Sequence, residues 1–350
     1  MTGAALVGSI PWEIPGPIWL LKPLLVFAFI LHLLFVNWML GSMGLSVLAE
    51  YLGRRKGDER YFRLATDLSK WSIVNKSLAI VLGVAPLLLV SVLYSGFIYP
   101  ATQLTANTWL ILVPWLIGAL WVCYFYYMRC DSWMARDRHL AIGLAGTVLL
   151  ACVPLLFATN MVLMLLPELW WNTSSFFQAL FYPTVWPRLV HFYVATAAMA
   201  GVFVMAIGAV YAGRGEQEAG YTDFVVRWGA GWAFWGTGLQ ILAGLWLLFS
   251  QPEKVFAAFW GGPYTWLVVT VFCLALGFML WLQRLRTRGA GRVWQRRELL
   301  RGLIVFVTVI LLLMATTRHL VREIHLEGYT RGHDRNIAVL ICGDPDKEAV

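Results

Sequence analysis

Eight long apolar runs, separated by short polar segments, dominate the pattern of hydrophobic and polar positions. They lie near 18–49, 72–98, 107–128, 140–166, 188–212, 224–250, 264–283 and 302–320. A helix rises about 1.5 Å per residue, so about 20 apolar residues cross a hydrocarbon layer about 30 Å thick. The pattern therefore predicts an all-α, polytopic membrane protein of about eight transmembrane helices. Lys22 and Pro23 interrupt the first run near its start and predict an interfacial turn or kink there. The segment 167–187 is apolar and aromatic but too short to be a span. Phe176, Phe177, Leu180 and Phe181 predict a short helix lying along the membrane surface. A polar tail, 329–350, closes the chain.

Composition agrees. Hydrophobic residues make up 60% and charged residues 13% of the chain; a soluble domain carries about 25% charged residues. Trp residues gather at the ends of the runs, Trp170, Trp171 and Trp186 around one loop and Trp260 and Trp266 around another, as an interfacial aromatic belt requires. No Ser/His/Asp set, phosphate loop or carboxylate pair points to soluble catalysis. The net charge of +8 is not a nucleic-acid footprint, because its cations sit in short loops between spans.

Those cations alternate. Arg54, Arg55, Lys56, Arg60, Arg63 and Lys70 follow the first run. Arg129, Arg136 and Arg138 follow the third, Arg214 and Arg227 the fifth. Arg284, Arg286, Arg288, Arg292, Arg296, Arg297 and Arg301 follow the seventh, while the intervening loops hold only Lys254. The positive-inside rule makes the charged loops cytoplasmic and puts both termini on the outer, periplasmic side of a bacterial inner membrane. The tail cations Arg331, Arg335 and Lys347 are outvoted by four loops. The N-terminus lacks a basic n-region and a cleavage site, so the first helix is expected to act as the insertion signal. Cys123, Cys130, Cys152, Cys273 and Cys342 read mainly as small core residues. There is no C-x-x-C-H for covalent haem attachment.

Two stretches echo each other. Leu31-His32-Leu33-Leu34-Phe35 is followed by Gly41, Gly44, Tyr51, Gly53 and Arg54. Val190-His191-Phe192-Tyr193-Val194 is followed by Gly201, Gly208, Tyr211, Gly213 and Arg214. Leu78 to Leu89 likewise echoes Leu239 to Leu248. The echo predicts two four-helix bundles, 1–166 and 188–328, joined by the 167–187 loop.

Candidate chemistry rests on histidines. His139, at a charged boundary, and His333, in the tail, read as ordinary; His32, His191, His319 and His325 lie on apolar helices. Arg54 to His32 and Arg214 to His191 are each roughly 33–35 Å of helix, and Arg301 to His319 is roughly 27 Å. His32, His191 and His319 therefore share a depth toward the outer face. A neutral imidazole inside a dry bundle is a natural axial ligand for haem iron. Arg188, Arg318 and Arg322 stand beside these histidines and could pair with haem propionates. Gly41, Ser42 and Gly44 below His32, and Ala195, Ala197, Ala198, Ala200 and Gly201 below His191, would admit a porphyrin or, equally, a second helix. Buried histidines bonded to backbone, and Arg side chains that snorkel at helix ends, are the bland alternative.

Leu31-His32-Leu33-Leu34-Phe35-Val36 through Leu45 to Glu50 resembles the first helix of cytochrome bd quinol oxidase subunit I. Arg188-Leu189-Val190-His191 resembles its fifth helix, and Gly238-Leu239-Gln240-Ile241-Leu242 to Gln251 its sixth. The resemblance implies that His32 ligates a high-spin haem and His191 the low-spin haem. The family's Met ligand on the seventh helix falls near Cys273 or Met279 here, with His319 or Met314 on the eighth as substitutes. Three departures stand out. Residues 106–128 hold no Glu or Asp, the loop 251–262 lacks the family's G-R-Q-P-W motif, and a ninth helix is missing. They argue against oxygen reduction.

What the resemblance implies is a bd-like membrane cytochrome with one to three haem b groups. It would pass electrons between quinone and an extracytoplasmic redox partner, such as a c-type cytochrome, beside other membrane subunits of a respiratory complex. Two alternatives compete with it. One is a haem-free quinol-binding anchor using Asn160, Gln240 or His32. The other is a transporter, which the scarcity of acidic residues inside the spans disfavours.

Overall fold

The computed structural model describes the backbone of residues 14–130, 137–212, 219–288 and 296–342. Arg136, Arg214, Arg292, Lys347 and the side chains of His333 and Cys342 lie outside what is described. Among the described residues every regular element is helical. The long helices are α1 (Ile18–Lys56), α2 (Glu59–Leu93), α4 (Ala106–Met128), α5 (Asp137–Leu165), α7 (Val185–Tyr211), α8 (Ala219–Phe249), α10 (Thr265–Arg288) and α11 (Arg296–Cys342). Short helices α3 (Ser95–Leu104), α6 (Phe176–Ala179) and α9 (Glu253–Phe259) lie in the connections, with a 3-10 turn at Pro167–Asn172. All eight long helices are long and apolar enough to cross a membrane, and the protein is an all-α, multi-pass membrane protein.

The helices outrun the apolar pattern. The basic segment 50–70 is almost wholly helical, broken only where Gly57 adopts φ 64° as the C-cap of α1 and Asp58 caps α2 by accepting from the Arg60 amide. That carboxylate also takes the Arg60 guanidinium, which holds its pKa below the ordinary range. Pro23 lies inside α1, which continues through it. The start of the polar tail is likewise a continuation of α11, to Cys342. In the 167–187 loop Trp170 is buried and donates to Leu163 O at 2.8 Å, while Trp171, Phe177 and Phe181 stand exposed.

α1 packs along α2 and α7, α7 along α8, α4 on α5, and α8 on α10; α11 reaches α1, α7 and α10. Packing differs between the two ends. Toward the charged loops, Leu45, Ala49, Leu64, Leu68, Ala200, Val204 and Val225 form a fully buried core. Toward the bare loops, 28–36 of α1, 151–158 of α5, 190–195 of α7 and 317–325 of α11 are half-buried at every position. A helix packed on one side should alternate buried and exposed positions. Unbroken half-burial over two turns means that the inward face also has space beside it.

The small residues are used for helix contact. A Cβ on Gly41 would lie 2.6 Å from Ala200 Cβ, and one on Gly201 would lie 2.4 Å from Ala233 N and 2.6 Å from Gly229 O. Here two backbones touch, as at small-residue crossings in membranes. Gly201→Ala is expected to destabilise the purified protein by about 1–3 kcal/mol through overpacking. Gly277→Ala, where nothing lies within 4 Å, should not. Thermal unfolding in detergent compares them, and equal midpoints would remove the crossing as a stability element.

Candidate functional site

His32 on α1 and His191 on α7 have matching surroundings. The His32 ring turns its Nδ1 to Ala79 O at 2.9 Å, and a Cβ on Gly83, one turn along α2, would lie 2.7 Å from its Cε1. The His191 ring meets Gln240 Nε2 at 2.7 Å through its own Nε2, and a Cβ on Gly244, one turn along α8, would lie 3.3 Å from its Cε1. In each case the glycine supplies the space in which the imidazole sits. The backbone carbonyl holds the proton of His32 on Nδ1, which leaves the Nε2 lone pair free. At His191 the other nitrogen, Nδ1, is buried without a partner, as is Gln240 Oε1.

Gly83→Ala therefore has a definite outcome. Its Cβ forces the His32 ring off Ala79, and stability should fall by about 1–3 kcal/mol. Gly244→Ala requires a shift of only a few tenths of an ångström and should be milder. Thermal unfolding of the two variants tests this, and the reverse order would contradict the geometry.

α11 crosses beside both histidines. The Arg318 guanidinium lies 3.6 Å from the centre of the Phe29 ring, one turn before His32. Arg322 lies over Tyr94 and bonds His319 Nδ1 at 2.8 Å. Glu323 joins Lys22 at 2.5 Å and the Tyr94 hydroxyl. His325, six residues on, meets Gln251 Oε1 of the α8–α9 connection at 3.2 Å. Arg188 interacts electrostatically with His191, His325 and Arg318. Arg188 Nε and Arg322 Nε are buried without partners. Arg318 thus interacts with both Arg322 and Arg188, and Glu323, paired with Lys22, lies beside His319.

Among the described residues no three His, Cys, Asp or Glu side chains converge as a metal cluster. Cys273 lies exposed on α10, and Met279 packs at Gly238, where a Cβ would lie 3.2 Å from its Cε. Met314 is half-buried on α11.

A second polar cluster lies at the charged-loop end. Glu50 and His139 are fully buried. Glu50 accepts from Arg54 at 2.6 Å, from the Tyr126 hydroxyl at 2.9 Å and from His139 Nδ1 at 2.8 Å. His139 Nε2 faces Tyr126 O at 3.0 Å. Both ring nitrogens thus face acceptors, an arrangement that the imidazolium satisfies. Hydropathy ends the first span at 49, and a position at a charged boundary makes His139 look ordinary; the structure instead buries Glu50 and His139 together, on helices that extend past the apolar runs. Gly83 and Gly244 escaped the sequence reading. Only the echo of 78–89 in 239–248, which aligns Ala79 with Gln240 and Gly83 with Gly244, could have pointed to them.

No family model matches the chain, and no curated protein matches it by sequence. Among solved structures it is similar to the bd oxidase from Geobacillus thermodenitrificans, with a TM-score of 0.68 and 13% identity. The match covers 98% of this chain and 97% of that one. From end to end, then, this chain has the fold of a bd oxidase chain.

Proposed function

We propose that the chain is a haem b-binding membrane subunit of a respiratory electron-transfer complex, working between the quinone pool and an extracytoplasmic redox partner. The observation that carries this reading is the pair of matching imidazole sites, His32 on Gly83 and His191 on Gly244, in a bd oxidase fold. The donor set fits a porphyrin. It offers the free Nε2 of His32, the unpartnered Nδ1 of His191, whose lone pair is open when the Gln240 amide turns its oxygen to Nε2, unpartnered buried arginine nitrogens for propionates, and half-buried helix faces around them. Bound haem supplies a one-electron couple.

The rest falls to the protein. His32 and His191 are the primary ligands in this reading, each fixed in orientation by α2 or α8. On α11, His325 joins His319 as a candidate partner of His191, because it shares Arg188 with it. Arg188, Arg318 and Arg322 neutralise anionic groups that would otherwise be costly to bury. In this reading two four-helix bundles, cytoplasmic charged loops and outward termini complete the arrangement, with these sites near the outer face. Other membrane subunits and a c-type cytochrome are the partners that this placement suits.

The test is a pyridine haemochromogen assay and a reduced-minus-oxidised spectrum of the protein purified from its native membrane. Haem b near stoichiometric amounts is expected. A haem-free protein carrying quinone would replace this reading by that of a quinol-binding anchor.

A further inference from the structure

A polar seam runs along the α1–α2 contact. His32, Phe35 C=O, Met39 C=O, Ser42, Ser46 and Glu50 follow one another on α1 at steps of three or four residues, which is one face of a helix. From α2, Ala79 C=O faces His32, Asn75 Nδ2 donates to Phe35 O at 2.8 Å, and Ser72 Oγ donates to Met39 O at 2.9 Å. Ser46 Oγ donates to Ala65 O at 2.7 Å and lies 3.3 Å from the Tyr126 hydroxyl, which donates to Glu50. From Glu50 to His32 is roughly 27 Å of helix, close to the thickness of a hydrocarbon core. Side-chain bonds to backbone are common glue between membrane helices. Glue alone leaves three atoms unexplained: Ser42 Oγ, Asn75 Oδ1 and Trp38 Nε1 are all buried and have no partner. Ser42 is wholly buried and Asn75 is 3% exposed. Unpaired buried polar atoms are expensive, and ordered water is their usual partner.

We propose that the α1–α2 seam is a hydrated proton path from the charged-loop face, loaded at Glu50, to the half-buried space beside His32. Glu50 is faced by Arg54 on its own helix, by Tyr126 on α4 and by His139 on α5, while Cys130, just past α4, lies against Tyr126 O. Ser69 of α2 contacts Cys130. Asp137 of α5, fully exposed, holds Arg54 at 3.0 Å and forms the mouth. A proton taken from water at the mouth reaches Glu50 past Arg54, since both ring nitrogens of His139 are already held. It continues as a shift of one proton per partner over Tyr126, Ser46 and waters at Ser42 and Asn75. Each carrier ends as it began and no electrons move. The path rests on the proposed function only for its purpose, since an electron placed on a buried cofactor draws a compensating proton.

Two measurements decide it. Hydroxyl-radical footprinting of the intact protein detects ordered water beside buried side chains and needs no cofactor. Met39 and Met43 should be labelled in spite of their burial, and Ser42→Val should reduce the labelling. Absence of labelling in the unmodified protein would overturn the path. The second measurement is proton uptake from the charged-loop side of proteoliposomes on rapid reduction by a soluble one-electron donor. Uptake should slow several-fold in Ser42→Val and in Glu50→Gln while haem reduction stays complete. Unchanged uptake in both variants with full reduction also overturns it. No reducible haem at all counts against the proposed function instead, and footprinting still decides the path.

Discussion

Glu50→Gln is expected to destabilise the folded protein by about 3–5 kcal/mol, the effect of removing one partner from a buried ion pair. The carboxylate is wholly buried and is the acceptor for Arg54, Tyr126 and His139. An amide leaves the Arg54 and His139 cations facing one another, and it can serve only one of their donors as an acceptor. His139→Leu should be milder, because it removes a cation and leaves Glu50 with Arg54 and Tyr126. The double replacement Glu50→Gln/His139→Leu should recover part of the loss, since removing both members of a buried pair is often nearly neutral. Thermal unfolding in detergent gives the cycle. If the double variant is no more stable than Glu50→Gln alone, the two groups do not act as a pair.

This cluster shows why the sequence reading stopped where it did. The eight spans were legible because the lipid solvent demands an apolar run of fixed length, and that demand appears in composition alone. Span ends were less legible. Hydropathy ends α1 near residue 49, whereas the helix continues to its glycine cap at Gly57, and Glu50 sits in the gap between these limits. A carboxylate can be buried there only because Tyr126 and His139 arrive from helices that begin about 50 or more residues later in the chain. No local pattern contains that information.

The candidate site divides in the same way. The level of the histidines follows from helical rise, and the structure brings Arg318 against Phe29, one turn from His32. Which way each ring points does not follow. His319 and His325 are six residues apart, roughly 240° around the helix; His319 meets Arg322 beside Glu323 and Lys22, while His325 turns to Gln251. The small residues were equally ambiguous. Gly41 and Gly201 admit another helix, whereas Gly83 and Gly244, which went unremarked, admit the imidazoles.

The second large effect concerns His191. In the haem-bearing protein, His191→Ala should abolish the low-spin absorbance, and His32→Ala should leave it in place while removing a separate high-spin component. The two imidazoles sit on different helix pairs with different partners, Ala79 and Gln240, so neither should depend on the other. Arg188→Leu discriminates further. Arg188 interacts electrostatically with His191, and a cation beside a redox centre favours its reduced state. At an effective dielectric near 20, a unit charge about 10 Å away contributes roughly 1.7 kcal/mol, about 70 mV for one electron. Arg188→Leu should therefore lower the midpoint potential of the low-spin component by tens of millivolts without removing its absorbance. Spectroelectrochemical titration of the purified protein reads both effects. A low-spin spectrum that survives His191→Ala would move the ligand elsewhere. An unshifted potential in Arg188→Leu would place the bound group away from the arginine cluster.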